Sequence, residues 1–134
     1  MAHTIQVVTT VKINGTQVTS LSRSIAVEAT DSIEVDLPGG TSNEQEVEVQ
    51  PTSTSGRVSF LAITADRYDA LLTYSITSGS PTTIAVDQPH VLVGEGAVGL
   101  LNPAASHPTS LFFKNGLAEN VRIQILVGRD ATPP

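Results

Sequence analysis

The chain has 134 residues, enough for one domain that buries a core, and it contains no cysteine. The lack of cysteine excludes disulfides, thiolate metal sites and cysteine nucleophiles. The net charge is −6, and the seven Lys and Arg residues are scattered, which argues against binding to nucleic acids or anionic membranes. No apolar run approaches the roughly 18–20 residues of a membrane-spanning helix, and the N-terminus lacks signal-peptide features. We therefore expect the chain to fold in the cytoplasm.

The N-terminal residues predict a β-hairpin. His3 to Ile13 alternates apolar and polar positions, as a half-buried strand does. Asn14-Gly15 follows, and this dipeptide favours a type I′ turn. We expect residues 16–22 to return antiparallel beside the first strand. Residues 24–29 and 32–37 predict two further short strands, with a break at Thr30-Asp31.

Residues 34–36 and 44–48 carry an acid at every second position. Residues 32–37 and 44–50 are predicted to pair around the turn at Pro38-Gly39-Gly40, which would create one acidic outer face. The acids of this predicted face are Glu34, Asp36, Glu44, Glu46 and Glu48. Like charges across strands are destabilising, so the face is either solvated or neutralised by the basic surface of a protein partner. Calcium is a third alternative, although the spaced acidic loop of an EF-hand is absent.

The remaining chain continues as short β-segments separated by turns. The predicted strands are residues 57–65, 71–77, 82–86, 90–93, 110–114 and 120–128. The predicted irregular segments are loops at 51–56 and 102–108, a bent or bulged segment at 94–99 and a loose tail at 131–134. About nine to eleven short strands predict an all-β fold, an antiparallel β-sandwich or jelly roll, as a single domain spanning residues 1–134.

Three predicted strands carry apolar side chains on both faces. Phe112-Phe113 and residues 125–127 are the clearest cases, and Val7-Val8 is a third. One face of each sheet in a sandwich is usually solvated, so Phe112 and Leu126 are candidate apolar contacts with a partner. The alternative is that loops or terminal segments cover them within the monomer.

The sequence carries no catalytic pattern. The three histidines are far apart and there is no Gly-x-Ser-x-Gly motif. Gly94 to Gly99 contains the letters of a dinucleotide fingerprint without its β-α-β context. We therefore predict no catalytic residues, no metal site and no cofactor, and we expect the protein not to be an enzyme.

The C-terminal segment Ser-Leu-Phe-Phe-Lys-Asn-Gly, followed by Asn-Val-Arg-Ile-Gln-Ile-Leu-Val-Gly-Arg-Asp, is the basis for a family resemblance. Together with the Thr- and Val-rich composition, it resembles the small β-sandwich virion proteins of tailed bacteriophages, particularly head decoration (cement) proteins. The resemblance implies a structural virion protein, assembled in the host cytoplasm, that forms homo-oligomers, with trimers favoured, and binds the major capsid protein or another virion protein. The alternatives are a tail or baseplate component and a carbohydrate- or receptor-binding module using loops 51–56, 66–70 and 94–109.

Overall fold

The computed structural model describes residues 3–40, 43–49, 58–101 and 109–130, and nearly all of its regular structure is β-strand. The strands are β1 (His3–Ile13), β2 (Thr16–Val27), β3 (Ala29–Leu37), β4 (Gln45–Glu48), β5 (Val58–Ala65), β6 (Leu72–Ser75), β7 (Ile84–Ala85), β8 (His90–Val93), β9 (Ser110–Asn115) and β10 (Val121–Arg129). One short helix, α1 (Glu95–Val98), precedes a 3₁₀ turn at Gly99–Leu101. The predicted loops at 51–56 and 102–108 and the tail at 131–134 lie outside the described residues.

Strands β3 to β10 form two four-stranded antiparallel sheets. The first sheet has the order β3-β10-β5-β8 and the second has the order β4-β9-β6-β7. The pairs are nested: β6 pairs with β7, β5 with β8, β4 with β9 and β3 with β10. The chain is thus a long antiparallel ribbon folded back on itself and wound around one core. This is the jelly-roll arrangement, and the predicted all-β sandwich is confirmed.

The core lies between the two sheets because strand alternation points every second side chain inward. In β10 the alternation is regular: Val121, Ile123, Ile125 and Val127 are buried, while the residues between them face outward. Burying each such side chain stabilises the fold by about 1.5–3 kcal/mol.

Strands β1 and β2 form a separate two-stranded ribbon, residues 3–27, here called the arm. The two strands contact each other far more than they contact the described part of the sandwich. Asn14 (φ 51°) and Gly15 (φ 80°) make the tight turn at its tip, as the sequence predicts. At its base Ile5 packs against Gly128 on the outer face of the first sheet. The arm therefore leaves the sandwich from the end of β10.

Three predictions about local structure are wrong. β2 is one strand, so the predicted segments 16–22 and 24–29 are not separate. The break lies at Glu28 rather than at Thr30-Asp31, because Thr30 and Asp31 are already paired with β10. Residues 94–99 form α1 and the start of the 3₁₀ turn rather than a bulged strand, since helical hydrogen bonds form after Gly94.

Gly39 and Gly96 provide a matched test of the close approach between the turn after β3 and the loop that joins β9 to β10. A Cβ at Gly39 would overlap the backbone of Ala118 and Glu119, whereas a Cβ at Gly96 in α1 would meet open space. We expect Gly39→Ala to destabilise the fold by about 1–3 kcal/mol through overpacking. Gly96→Ala should be neutral or stabilising by up to about 1 kcal/mol, because alanine favours helix. Urea unfolding of both variants measures the difference, and equal stabilities would contradict the close approach at Gly39.

Candidate functional site

The five acids predicted to share one face lie on two different sheets. Glu34 and Asp36 belong to β3, which pairs with β10, whereas Glu46 and Glu48 belong to β4, which pairs with β9. Glu44 lies just before β4. The predicted pairing of residues 32–37 with 44–50 is therefore wrong, and the five acids do not form one surface. The turn after β3 carries the chain across to the second sheet instead of returning it along the first.

Two of the three acids near the second sheet, Glu44 and Glu46, accept hydrogen bonds from neighbouring donors. Glu44 accepts hydrogen bonds from the Gly79 N–H (3.0 Å) and the Ser78 hydroxyl (2.8 Å). The Gly79 bond is the larger cause and the Ser78 bond the smaller, and both lower the pKa of Glu44. Glu46 accepts a hydrogen bond from the Ser110 hydroxyl (2.9 Å). These bonds give Glu44 and Glu46 structural roles within the monomer.

On the first sheet three carboxylates surround one guanidinium, a set here called the Arg122 group (Glu34, Asp36, Asp66 and Arg122). The Arg122 Nε donates a hydrogen bond of 2.8 Å to Asp36, which lowers the pKa of Asp36 and raises that of Arg122. The backbone N–H of Arg122 donates a hydrogen bond of 3.0 Å to the Asp66 carboxylate. Glu34 accepts no hydrogen bond from the described residues. Three acids and one base leave the group with a charge of −2.

Beside the Arg122 group, three apolar side chains cross the first sheet in register. Leu126 of β10 is level with Ala62 of β5, and Ala62 is level with Val91 of β8; these three are here called the apolar row. Leu126 is 37% exposed and Val91 is 50% exposed. The next row toward the chain end, at Gly128, is the one covered by the base of the arm. The apolar row is therefore the exposed continuation of the sheet surface that the base of the arm covers.

The two predicted apolar contacts do not share a surface. Leu126 lies in the apolar row on the first sheet, whereas Phe112 lies in β9 of the second sheet, opposite Glu46. Phe112 is partly buried in the monomer. Of the two, Leu126 is the one that contributes to an exposed apolar surface.

The arm is amphipathic. One of its faces, here called the apolar arm face, is carried by the cross-strand pairs Ile5–Ile25, Val7–Arg23, Thr9–Leu21 and Val11–Thr19. Its opposite face is formed by Thr, Ser and Gln side chains around Val8. Leu21 is 59% exposed and Val11 is 43% exposed, although both belong to the apolar arm face.

Only the base of the apolar arm face is covered. A Cβ built at Gly128 would lie 2.6 Å from Ile5 Cδ1 and 3.2 Å from Val27 Cγ1, so the glycine admits the arm against the sheet. Beyond Val7, every residue of the arm up to Ser24 is exposed. An isolated two-stranded ribbon is at best marginally stable in water, and contiguous exposed apolar side chains mark an interaction surface.

Charge is segregated between the arm and the sandwich. All thirteen acids occur at Glu28 or later, whereas the arm carries two basic residues, Lys12 and Arg23, and no acid. The arm therefore has a charge of +2, and the rest of the chain, with five basic and thirteen acidic residues, has a charge of −8. This asymmetry is visible in the sequence and was the signal that could have identified the arm as a distinct unit.

The polar groups inside the sandwich have structural explanations. The Tyr74 hydroxyl lies 3.0 Å from Nδ1 of His90, and burial raises the pKa of Tyr74 to about 12. Tyr68, a residue of the loop expected to serve a binding module, packs on the core and accepts a hydrogen bond from the Ala65 N–H. Within residues 3–40, 43–49, 58–101 and 109–130, no three His, Asp or Glu side chains are placed to hold a metal ion.

Comparison with protein-family models, with curated proteins and with solved structures gives no match. None of the helices among the described residues has the length and apolar character required to cross a membrane. The arm, the apolar row and the Arg122 group are therefore the features from which a function is inferred.

The Glu44 contacts predict a specific pH dependence of stability. The folded pKa of Glu44 lies below its ordinary value of 4.5, so its stabilising contribution is present above that value and is lost as the pH falls through the folded pKa. We expect Glu44→Gln to lower the melting temperature at pH 7, with the difference from wild type shrinking below about pH 4.

Ser78→Ala is the matched control, because it removes one donor and leaves the Gly79 N–H in place. It should reproduce only part of the effect at pH 7. A difference between wild type and Glu44→Gln that is the same at pH 7 and pH 3 would contradict the assigned hydrogen bonds.

Proposed function

We propose that this protein is a non-enzymatic structural protein that acts by assembly, as a capsid decoration (cement) protein that self-associates and binds a capsid lattice in the virion. The observation that carries the proposal is the arm, whose apolar face is uncovered from Val11 and Leu21 to the tip. A surface of this kind is costly to a monomer and gains its stabilisation when a protein partner covers it.

The fold is compatible with this role but does not distinguish it from other roles. Jelly rolls occur in viral capsid proteins and also in lectin domains, so the sandwich alone does not distinguish assembly from ligand binding. The arm favours assembly, because a projecting apolar ribbon suits an extended protein surface better than a small ligand. The resemblance of the C-terminal segment to head decoration proteins supplies the virion setting.

The charge distribution suits docking on a larger assembly. The acidic sandwich would be attracted to a basic patch on a capsid protein, and complementary charge speeds and orients such encounters. The arm would then link the protein to neighbouring subunits. Homo-oligomers, with trimers favoured, are the expected form on the lattice.

Substitution on the apolar arm face tests the proposal. We expect the double variant Val11→Ser/Leu21→Ser to weaken assembly at least about a hundredfold, because each lost apolar contact contributes about 1.5–3 kcal/mol. Light scattering should then give the mass of a single 14.0 kDa chain at concentrations where wild type is larger. Cosedimentation with purified capsids measures the binding to the lattice.

Val8→Ser is the matched control, since Val8 is 64% exposed but lies on the opposite face of the arm. It should leave assembly and capsid binding intact. Urea unfolding of dilute protein should be within about 0.5 kcal/mol of wild type for both variants, because these side chains are exposed in the monomer. Equal assembly and equal capsid binding of wild type and the double variant would overturn the proposed function.

A further inference from the structure

We propose that the partner of the arm is a second copy of this chain: the outer half of the apolar arm face docks on the apolar row of the other copy, with Arg23 beside Glu34. This inference rests on the proposed function, because it names the protein surface that covers the arm. It assigns a binding role to Leu126, Ala62 and Val91 and to Glu34, which accepts no hydrogen bond from the described residues.

Charge complementarity identifies the second copy as the partner. The arm carries +2 and the remainder of each chain carries −8, so every copy offers an attractive surface to the arm of another. On the first sheet this attraction is local, since the Arg122 group has a charge of −2 and borders the apolar row. On the arm, Arg23 is the basic residue that shares a face with Leu21.

The spacing of the two surfaces matches. Along a strand, residues i and i+2 point to the same side about 6.5 Å apart. Leu21 and Arg23 have this relation on the arm, and so do Leu126 and Gln124 on β10. Gln124 is level with Glu34 of β3. A face-to-face contact that places Leu21 over Leu126 therefore brings Arg23 to the row that contains Glu34. The next pair toward the tip, Val11–Thr19, then meets the base of the receiving copy's own arm, which covers the Gly128 row.

The contact has to be made between two copies. The tip turn begins at Asn14, nine residues beyond Ile5, about 30 Å along the ribbon at 3.3 Å per residue. The outer half of the arm is exposed, so the sandwich of its own chain does not cover it.

The second sheet is a poorer acceptor for the arm. Its outer face carries Phe112 and Lys114 at alternate positions of β9, and Lys114 would repel the basic arm. Glu46, the acid level with Phe112, is already engaged by Ser110. The first sheet instead places Glu34 close to two apolar side chains, Leu126 and Val91, that are each at least one third exposed.

Exchange of arms would make the interface large enough to be stable. Specific protein interfaces bury about 1,200–2,000 Å² in total, and one face of a single ribbon is small beside that area. Reciprocal exchange in a dimer, or a closed ring of three copies, uses each arm and each apolar row once and leaves neither exposed.

Because the chain has no cysteine, cross-linking of introduced cysteines gives a direct test. Two single variants are mixed with a bis-maleimide that spans about 10 Å, the separation of two sheets packed face to face. The variants are Thr9→Cys, on the apolar arm face opposite Leu21, and Ala62→Cys, in the apolar row. A mass tag on one of them identifies the cross-linked heterodimer. We expect it to form rapidly with Thr9→Cys and at least tenfold more slowly with the control Thr10→Cys, which lies on the opposite face. Equal rates, or no cross-linked heterodimer from either mixture, would overturn the inference.

A charge exchange tests the Arg23–Glu34 contact independently. Arg23→Glu and Glu34→Arg should each weaken self-association, and the chain carrying both changes should recover most of it, because the pair is re-formed between copies. A double variant as weak as the single variants would overturn the assigned contact.

The two proposals can fail separately. Wild type that stays a single chain at high concentration, yet binds capsids through Val11 and Leu21, would overturn self-association and the second copy as partner, and would leave the capsid-binding function standing. If no arm variant changes self-association or capsid binding, both proposals are wrong.

Discussion

A two-stranded β-ribbon has no second layer, so any apolar face that it carries must be covered by something else. The arm of this protein is such a ribbon, and its apolar side chains continue past the point where the sandwich ends. The base is covered because Gly128 leaves room for Ile5 and Val27. The remainder is stabilised if another protein surface lies against it, and the proposed assembly function and the proposed partner both rest on this constraint.

The sandwich serves as the rigid support for the arm. β2 passes into β3 through Glu28, whose N–H donates to the Arg129 carbonyl oxygen (3.1 Å). The buried Arg129 side chain is paired with Asp31 through Nη2 (3.0 Å), so the junction is held by both backbone and side chain. β3 is in turn paired along its length with β10, the strand that carries Leu126. The arm and the surface proposed to receive it are therefore attached to the same pair of strands.

The sequence predicts which residues form strands far better than which strands are neighbours. Asn14-Gly15 and the alternation of β1 give the hairpin at the tip, and the alternation of β10 gives its buried face. Alternation shows that Glu34 and Glu46 both point outward. It does not show that β3 and β4 belong to different sheets, because the nested jelly-roll pairing depends on contacts between distant parts of the chain. Likewise, β1 has the pattern of a half-buried strand, and only the fold reveals that most of its apolar face is exposed. The absence of acids before Glu28 is the one sequence signal that sets the arm apart.

Hydrogen exchange of the arm amides at two protein concentrations tests the central claim most directly. An uncovered ribbon opens readily, so its amides should exchange quickly in dilute protein and become protected when a second copy covers the apolar arm face. The proposed self-association predicts that protection between Val8 and Ser24 rises with protein concentration, together with protection around Val91 in the edge strand β8, while the central strand β10 stays protected near Ile123 and Ile125 throughout. Arm protection that is independent of concentration would contradict it.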